Sequence, residues 1–109
     1  MAIQAAKKRI VILGAGISGH TAARYLMRLR RKTRTPYEVV VVSPNQKWNW
    51  IPSNIWVGVG QMTKEQVTFD LDVLYRKIGV PFHQARAVSI HPEGDADDAT
   101  PYVLVEYTE

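Results

Sequence analysis

No cysteine occurs among the 109 residues. The chain by itself can therefore form no disulfide, no thiolate metal site and no thiol redox centre. Long apolar runs are missing too, and nothing approaches the ~20 residues that span a bilayer. Residues 1–9 place their charges directly before the first apolar run and lack the apolar region and cleavage site of a secretory signal. A cytoplasmic location is the expectation. The three histidines, His20, His83 and His91, lie in separate segments without ligand spacing and read as structural or exposed rather than metal-binding. No helix-turn-helix, zinc-finger or RNA-binding signature accompanies the net charge of +4 and the pI of about 9.6, so nucleic acid is not an expected partner.

What is present is ordinary for one small domain with one core: 46% hydrophobic and 22% charged residues. The organising stretch is Arg9-Ile-Val-Ile-Leu-Gly-Ala-Gly-Ile-Ser-Gly19. Ile10, Val11, Ile12 and Leu13 are too few for a helix and read as a strand buried on both faces of a parallel sheet. Gly14, Gly16 and Gly19 then form G-x-G-x-x-G, and Ala22, Ala23, Leu26, Met27 and Leu29 follow at helical spacing. In such a motif the first glycine makes the tight turn, the second admits a pyrophosphate, and the third lets helix and strand pack closely. The helix's free N–H groups and positive dipole end face the phosphates. Strand before and helix after is the context that distinguishes a dinucleotide cradle from a merely structural glycine turn.

Arg24, Arg28, Arg30, Arg31, Lys32 and Arg34 cluster toward the end of this helix, where cations complement the dipole. Thr33-Arg-Thr-Pro-Tyr37 is a polar turn in which Pro36 ends helix formation. Glu38-Val-Val-Val-Val-Ser43 is a second buried strand, completing a βαβ unit with parallel strands and a right-handed crossover. Its end normally carries an acid for the adenosine ribose. Here Ser43, Pro44, Asn45, Gln46 and Lys47 stand instead. A serine brings no negative charge, so a 2′-phosphate met by Lys47 is compatible with the residues, and an NADP-binding module remains an alternative.

All three tryptophans fall within Lys47-Trp-Asn-Trp-Ile-Pro-Ser-Asn-Ile-Trp-Val-Gly-Val-Gly60, which shows no sustained period and reads as a long loop with a short helical turn. Long loops in compact domains are usually functional. The indoles either cover apolar surface or shape a pocket beside a ligand ring at Pro52 and Ser53. Residues 61–68 read as a polar loop and residues 70–79 as a short helix, opened by Asp70 or Asp72, faced by Leu71, Leu74 and Ile78 and stopped by Gly79. A third strand over residues 80–90 bends near Ala87. An acidic turn follows over residues 91–101, and a last strand over residues 102–107 can pair with the third as a hairpin.

The Gly-Ala-Gly-Ile-Ser-Gly turn, the Ser43-Pro-Asn end of the second strand and Ile51-Pro-Ser-Asn-Ile-Trp-Val-Gly-Val-Gly60 together resemble sulfide:quinone oxidoreductases. These belong to the two-dinucleotide-domain flavoproteins, alongside flavocytochrome c sulfide dehydrogenases and type II NADH dehydrogenases. The resemblance covers residues 9–109 and implies a Rossmann-like FAD-binding unit: a βαβ element in a parallel sheet with a C-terminal β-hairpin. On this reading residues 1–109 are the N-terminal part of an FAD-binding domain. It further implies that Gly14, Ala15, Gly16, Ile17 and Ser18 wrap the pyrophosphate of FAD, with Gly19 closing the helix onto the sheet. Ser43 and Pro44 sit at the ribose, Arg86 and Ala87 contact adenine through the backbone, and Pro52 and Ser53 approach the flavin ring.

Sulfide oxidation in that family uses cysteines, which this chain lacks, so no catalytic residue is assigned here. By the resemblance sulfide and quinone belong to a complete enzyme, of which this chain is an inactive opening fragment. Peripheral attachment to an inner membrane would come only through later C-terminal regions. The alternatives are a free-standing NAD(P)-binding oxidoreductase module and a non-enzymatic interaction fragment using the tryptophan loop or the arginine cluster. Open sheet edges imply a marginal or self-associating species.

Overall fold

The computed structural model describes residues 8–34 and 36–108. Residues 1–7, Thr35 and Glu109 lie outside it, and with them the reading of the N-terminal leader and one residue of the polar turn after the first helix. A strand β1 (Lys8–Leu13) leads into helix α1 (Ile17–Thr33), followed by β2 (Tyr37–Ser43). β3 (Lys47–Asn49), a 3₁₀ turn (Ile51–Ser53) and a single helical turn α2 (Asn54–Gly58) come next. A second 3₁₀ turn (Lys64–Gln66), β4 (Thr68–Asp70), helix α3 (Leu71–Ile78), β5 (Phe82–His91) and β6 (Tyr102–Tyr107) complete the order.

Four strands form the main sheet in the order β1-β2-β5-β6. β1 and β2 run parallel with Ile10 beside Val39 and Leu13 beside Val42, and β2 and β5 run parallel from Val41–Phe82 to Ser43–Gln84. The α/β class with a mostly parallel sheet and an antiparallel β5–β6 ribbon is therefore as the sequence suggests. The third strand's bend is real: the register slips between Ala87 and Ser89, a bulge that twists the ribbon.

Both longer helices cover one face of the sheet. Ala23, fully buried, lets α1 lie close on Val39 and Val41, while Leu71, Tyr75 and Val80 bring α3 in beside it. The ring of Tyr75 stacks on Phe82 at 5.7 Å. The Tyr37 hydroxyl donates to the carbonyl of Leu26, tying the start of β2 to α1. Arg34 adopts a left-handed conformation (φ 56°) just past Thr33, where the chain turns toward Pro36.

Three expectations need correction. β1 is not buried on both faces: Ile10 and Ile12 pack inward, but Val11 and Leu13 stay 38% and 40% exposed because, among the described residues, no helix covers them on the second face. The tryptophan segment is not one long loop, since β3 pairs antiparallel with β4, setting Trp48 beside Phe69. The helix over residues 71–78 turns on Tyr75, which the sequence reading left out, and its acids divide their roles. Asp70 occupies the cap position without a side-chain hydrogen bond, whereas Asp72 accepts from Arg76 at 2.7 Å.

Candidate functional site

The turn between β1 and α1 is held from two sides. The Gly14 N–H donates to the Val42 carbonyl at 2.7 Å, and the His20 N–H donates to the Gly16 carbonyl at 2.9 Å. Gly14 has φ +108°, a conformation that side chains resist. Gly19 is required by packing: a Cβ there would lie 2.0 Å from the Gly14 carbonyl oxygen. Gly16 is different. Its backbone is ordinary (φ −73°) and a Cβ would meet nothing within 4 Å, so among the described residues the space before the helix is open.

That space faces the first turn of α1, which has no side-chain cap and no acidic residue. Its leading N–H groups are among those a helix cannot bond internally. Ala15 is buried against the core, while Ile17 and Ser18 are exposed at the mouth. A shallow depression of about 480 Å³, lined by Ile17, Ser18, Thr21, Ala22 and Tyr25, flanks the turn. Backbone donors, the positive helix end and an unfilled approach together suit a pyrophosphate, so the residues fit the phosphate part of a dinucleotide such as FAD.

Ser43 ends β2 one residue past the Gly14–Val42 bond, beside the glycine turn, and Pro44 follows it. Ser43 is buried, and its Oγ accepts the Asn45 N–H at 3.3 Å, which fixes the turn and adds no charge. Arg86 and Ala87 lie two and three residues beyond Gln84, the last β5 residue paired with β2. Their backbones register with Glu106 and Val105 of β6, and the Arg86 guanidinium bonds Glu106 at 2.8 Å. Sequence reasoning missed Thr108. Its hydroxyl donates to the Pro44 carbonyl at 3.0 Å and its N–H to the Gln84 carbonyl at 2.9 Å, clamping the end of β2 to the ribbon. A lone threonine next to the last residue carried no signal for this.

Pro52 and Ser53 sit in the 3₁₀ turn after β3. The link between this turn and the glycine turn runs through aromatic rings. Trp50 stacks on Trp48 at 5.6 Å, and Trp48 lies 6.3 Å from the His20 ring in the first turns of α1. His20 Nδ1 and the buried Tyr75 hydroxyl share a hydrogen bond of 3.1 Å. Burial first, and the Arg24 guanidinium second, hold the His20 pKa below its ordinary 6.5. Burial likewise raises the Tyr75 phenol above its usual value. His83 bonds the Tyr107 hydroxyl at 3.0 Å, and His91 bonds Ser89 at 2.8 Å and stacks on Tyr102. Each histidine thus has a polar partner of its own.

The fold is shared with a solved sulfide:quinone oxidoreductase. That structure, from the hyperthermophilic bacterium Aquifex aeolicus, superposes with a TM-score of 0.66 over 94% of this chain at 21% identity. The chain spans 23% of that protein's length. At this identity the likeness is one of fold. No family model matches the sequence.

Proposed function

We propose that this chain binds FAD through residues 14–19 and forms part of the FAD-binding domain of a sulfide:quinone oxidoreductase-like flavoprotein. The observation that carries the reading is the open approach at Gly16, in front of a helix start with no side-chain cap and no acid in its first turn. The fold likeness supports it. Gly14 and Gly19 build the turn for structural reasons, whereas Gly16 borders open space through which a phosphate would approach the helix start.

In this reading the N–H groups of the first turn of α1 hold the pyrophosphate. The end of β2 at Ser43 and Pro44, fixed by Asn45 and Thr108, lines the ribose. The backbone of Arg86 and Ala87 borders the adenine, and Pro52 and Ser53 lie toward the isoalloxazine ring, with the Trp48–Trp50 stack keeping water from that side. Bound FAD supplies two-electron redox chemistry, here between sulfide and quinone. The thiols for sulfide oxidation would come from outside these 109 residues, which contain no cysteine. Membrane attachment, too, would belong to other parts of such an enzyme: among the described residues no helix is long and apolar enough to cross a bilayer.

Titration with FAD followed by flavin absorbance and fluorescence tests the proposal. Binding at one site with quenching of flavin emission supports it. The absence of Asp or Glu at the end of β2 favours a second reading, an NADP-binding module. A thermal shift with NADP but none with FAD would select that one.

A further inference from the structure

Helix α1 carries Arg24, Arg28, Arg30, Arg31 and Lys32 and not one acidic side chain. The ion pairs among the described residues are Arg9–Glu38, Arg76–Asp72 and Arg86–Glu106, so none of these five cations takes part in one. The helix dipole accounts for Arg30, Arg31 and Lys32 in the last turn, but its effect fades within one turn. It does not account for Arg24 and Arg28. Spacing of four and three residues puts Arg24, Arg28 and Arg31 on one helix face. They line a groove of about 420 Å³ with Met27 and Ile78, and no acid borders it. A second hollow of about 450 Å³ continues it past Arg30, Arg31, Arg34 and Pro36.

The opposite charge sits at the far end of the molecule. Glu93, Asp95, Asp97 and Asp98 crowd the tip of the β5–β6 ribbon. The tip is braced internally: Asp95 Oδ1 accepts the N–H groups of Asp97 and Asp98, and Asp98 Oδ1 accepts that of Thr100. Beyond Gln84 the ribbon leaves β2 and extends as two strands alone, roughly 23 Å at the usual rise per residue. Val88, Ile90 and Leu104 are 54%, 62% and 52% exposed along it. An isolated two-stranded ribbon is marginal in water, and apolar residues on its surface mark a contact.

Topology keeps groove and tip apart within one molecule. α1 returns from the carboxyl ends of the strands to their amino ends, because it joins the parallel strands β1 and β2. Its arginine-rich end therefore points away from the tip, which lies beyond the carboxyl end of β5 in a molecule 62 Å long. Two copies laid antiparallel bring each tip to the other's groove. We propose that this chain pairs with a second copy of itself, the acidic tip of each ribbon seated in the Arg24–Arg28–Arg31 groove of the other. The contact is isologous and closes after two copies. The exposed ribbon residues supply apolar area, and the charges supply direction and salt sensitivity.

Sedimentation velocity on the 109-residue chain and two charge-reversed forms tests this. One form carries Arg24→Glu, Arg28→Glu and Arg31→Glu; the other carries Asp95→Lys, Asp97→Lys and Asp98→Lys. The wild-type chain should be dimeric at about 50 mM salt and dissociate at least about tenfold more readily at about 500 mM, where screening is stronger. Each reversed form alone should be monomeric, since its grooves and tips share one sign. An equimolar mixture should restore a one-to-one dimer, because both contacts are then complementary. If circular dichroism shows that a triple variant is unfolded, the single pair Arg28→Glu and Asp97→Lys repeats the mixing experiment. A monomeric wild-type chain at low salt, a dimer that survives either reversal, or mixing without recovery would overturn the proposal. So would a chain that stays monomeric yet binds heparin through the same arginines, which would make the occupant an unrelated polyanion.

Discussion

Gly19 and Gly16 sit three residues apart and are expected to answer substitution in opposite ways. A Cβ at Gly19 would press on the Gly14 carbonyl oxygen at 2.0 Å, backbone that cannot rotate away. Gly19→Ala should therefore cost about 2–4 kcal/mol, as overpacked sites do. Gly16→Ala places its methyl in open space at an ordinary φ and should cost under about 1 kcal/mol, chiefly the weaker cap. Urea unfolding of the two variants distinguishes them. His20 gives the residue scale a pH dependence. Its folded pKa lies below 6.5 because of burial and Arg24. Above 6.5 the ring is neutral in both states and stability is full. As pH falls through 6.5 the unfolded chain takes the proton first, and stability declines until the lower folded value is passed. The urea midpoint should drop between about pH 7 and pH 5, and His20→Gln should flatten that part of the profile.

Among the elements, α3 depends on few side chains. Leu71 and Tyr75 are essentially inaccessible to solvent and join the helix to α1, β2 and β5. Leu71→Ala should cost about 2–5 kcal/mol, the range for truncating a buried leucine. Asp72→Ala on the exposed face, losing one salt bridge to Arg76, should cost no more than about 0.5 kcal/mol. Comparative urea unfolding reads both. The elements that sequence made legible are those with long, uniform patterns: the β-branched runs of β1 and β2, the helical spacing of α1 and the final strand. β3 and β4 were missed because three residues are too few to show a period. The two-sided burial expected of β1 failed because its four apolar residues cannot tell whether a second layer covers them. Tyr75 escaped because an amphipathic count favours leucine and isoleucine, whereas here the aromatic ring reaches His20 and Phe82. In the candidate site, the strand–glycine turn–helix and the strand end at Ser43 were legible as local structure. The clamp from Thr108 and the aromatic route from Trp50 to His20 exist only through long-range pairing.

At the scale of the molecule, one face of the sheet carries both longer helices; on the other no helix packs among the described residues, although Val40 and Val42 of β2 are buried there. Val11 and Leu13 of β1 look outward on that second face, and the proposed phosphate cradle opens at the carboxyl ends of β1 and β2, where α/β sheets bind their ligands. The site is thus an exposed rim rather than an enclosed pocket, so affinity for a dinucleotide should rest largely on backbone donors and the helix dipole. A ligand that binds only the folded chain raises its stability with concentration, so saturating FAD should raise the unfolding midpoint. The measurement that bears most directly on the account is FAD binding by the wild-type chain and by Gly16→Ala under identical conditions. The wild-type chain should bind one FAD, and Gly16→Ala should bind at least about tenfold more weakly, ~1.4 kcal/mol, with its folding nearly unchanged. No binding to the wild-type chain at saturating FAD, or equal binding by both, would contradict it.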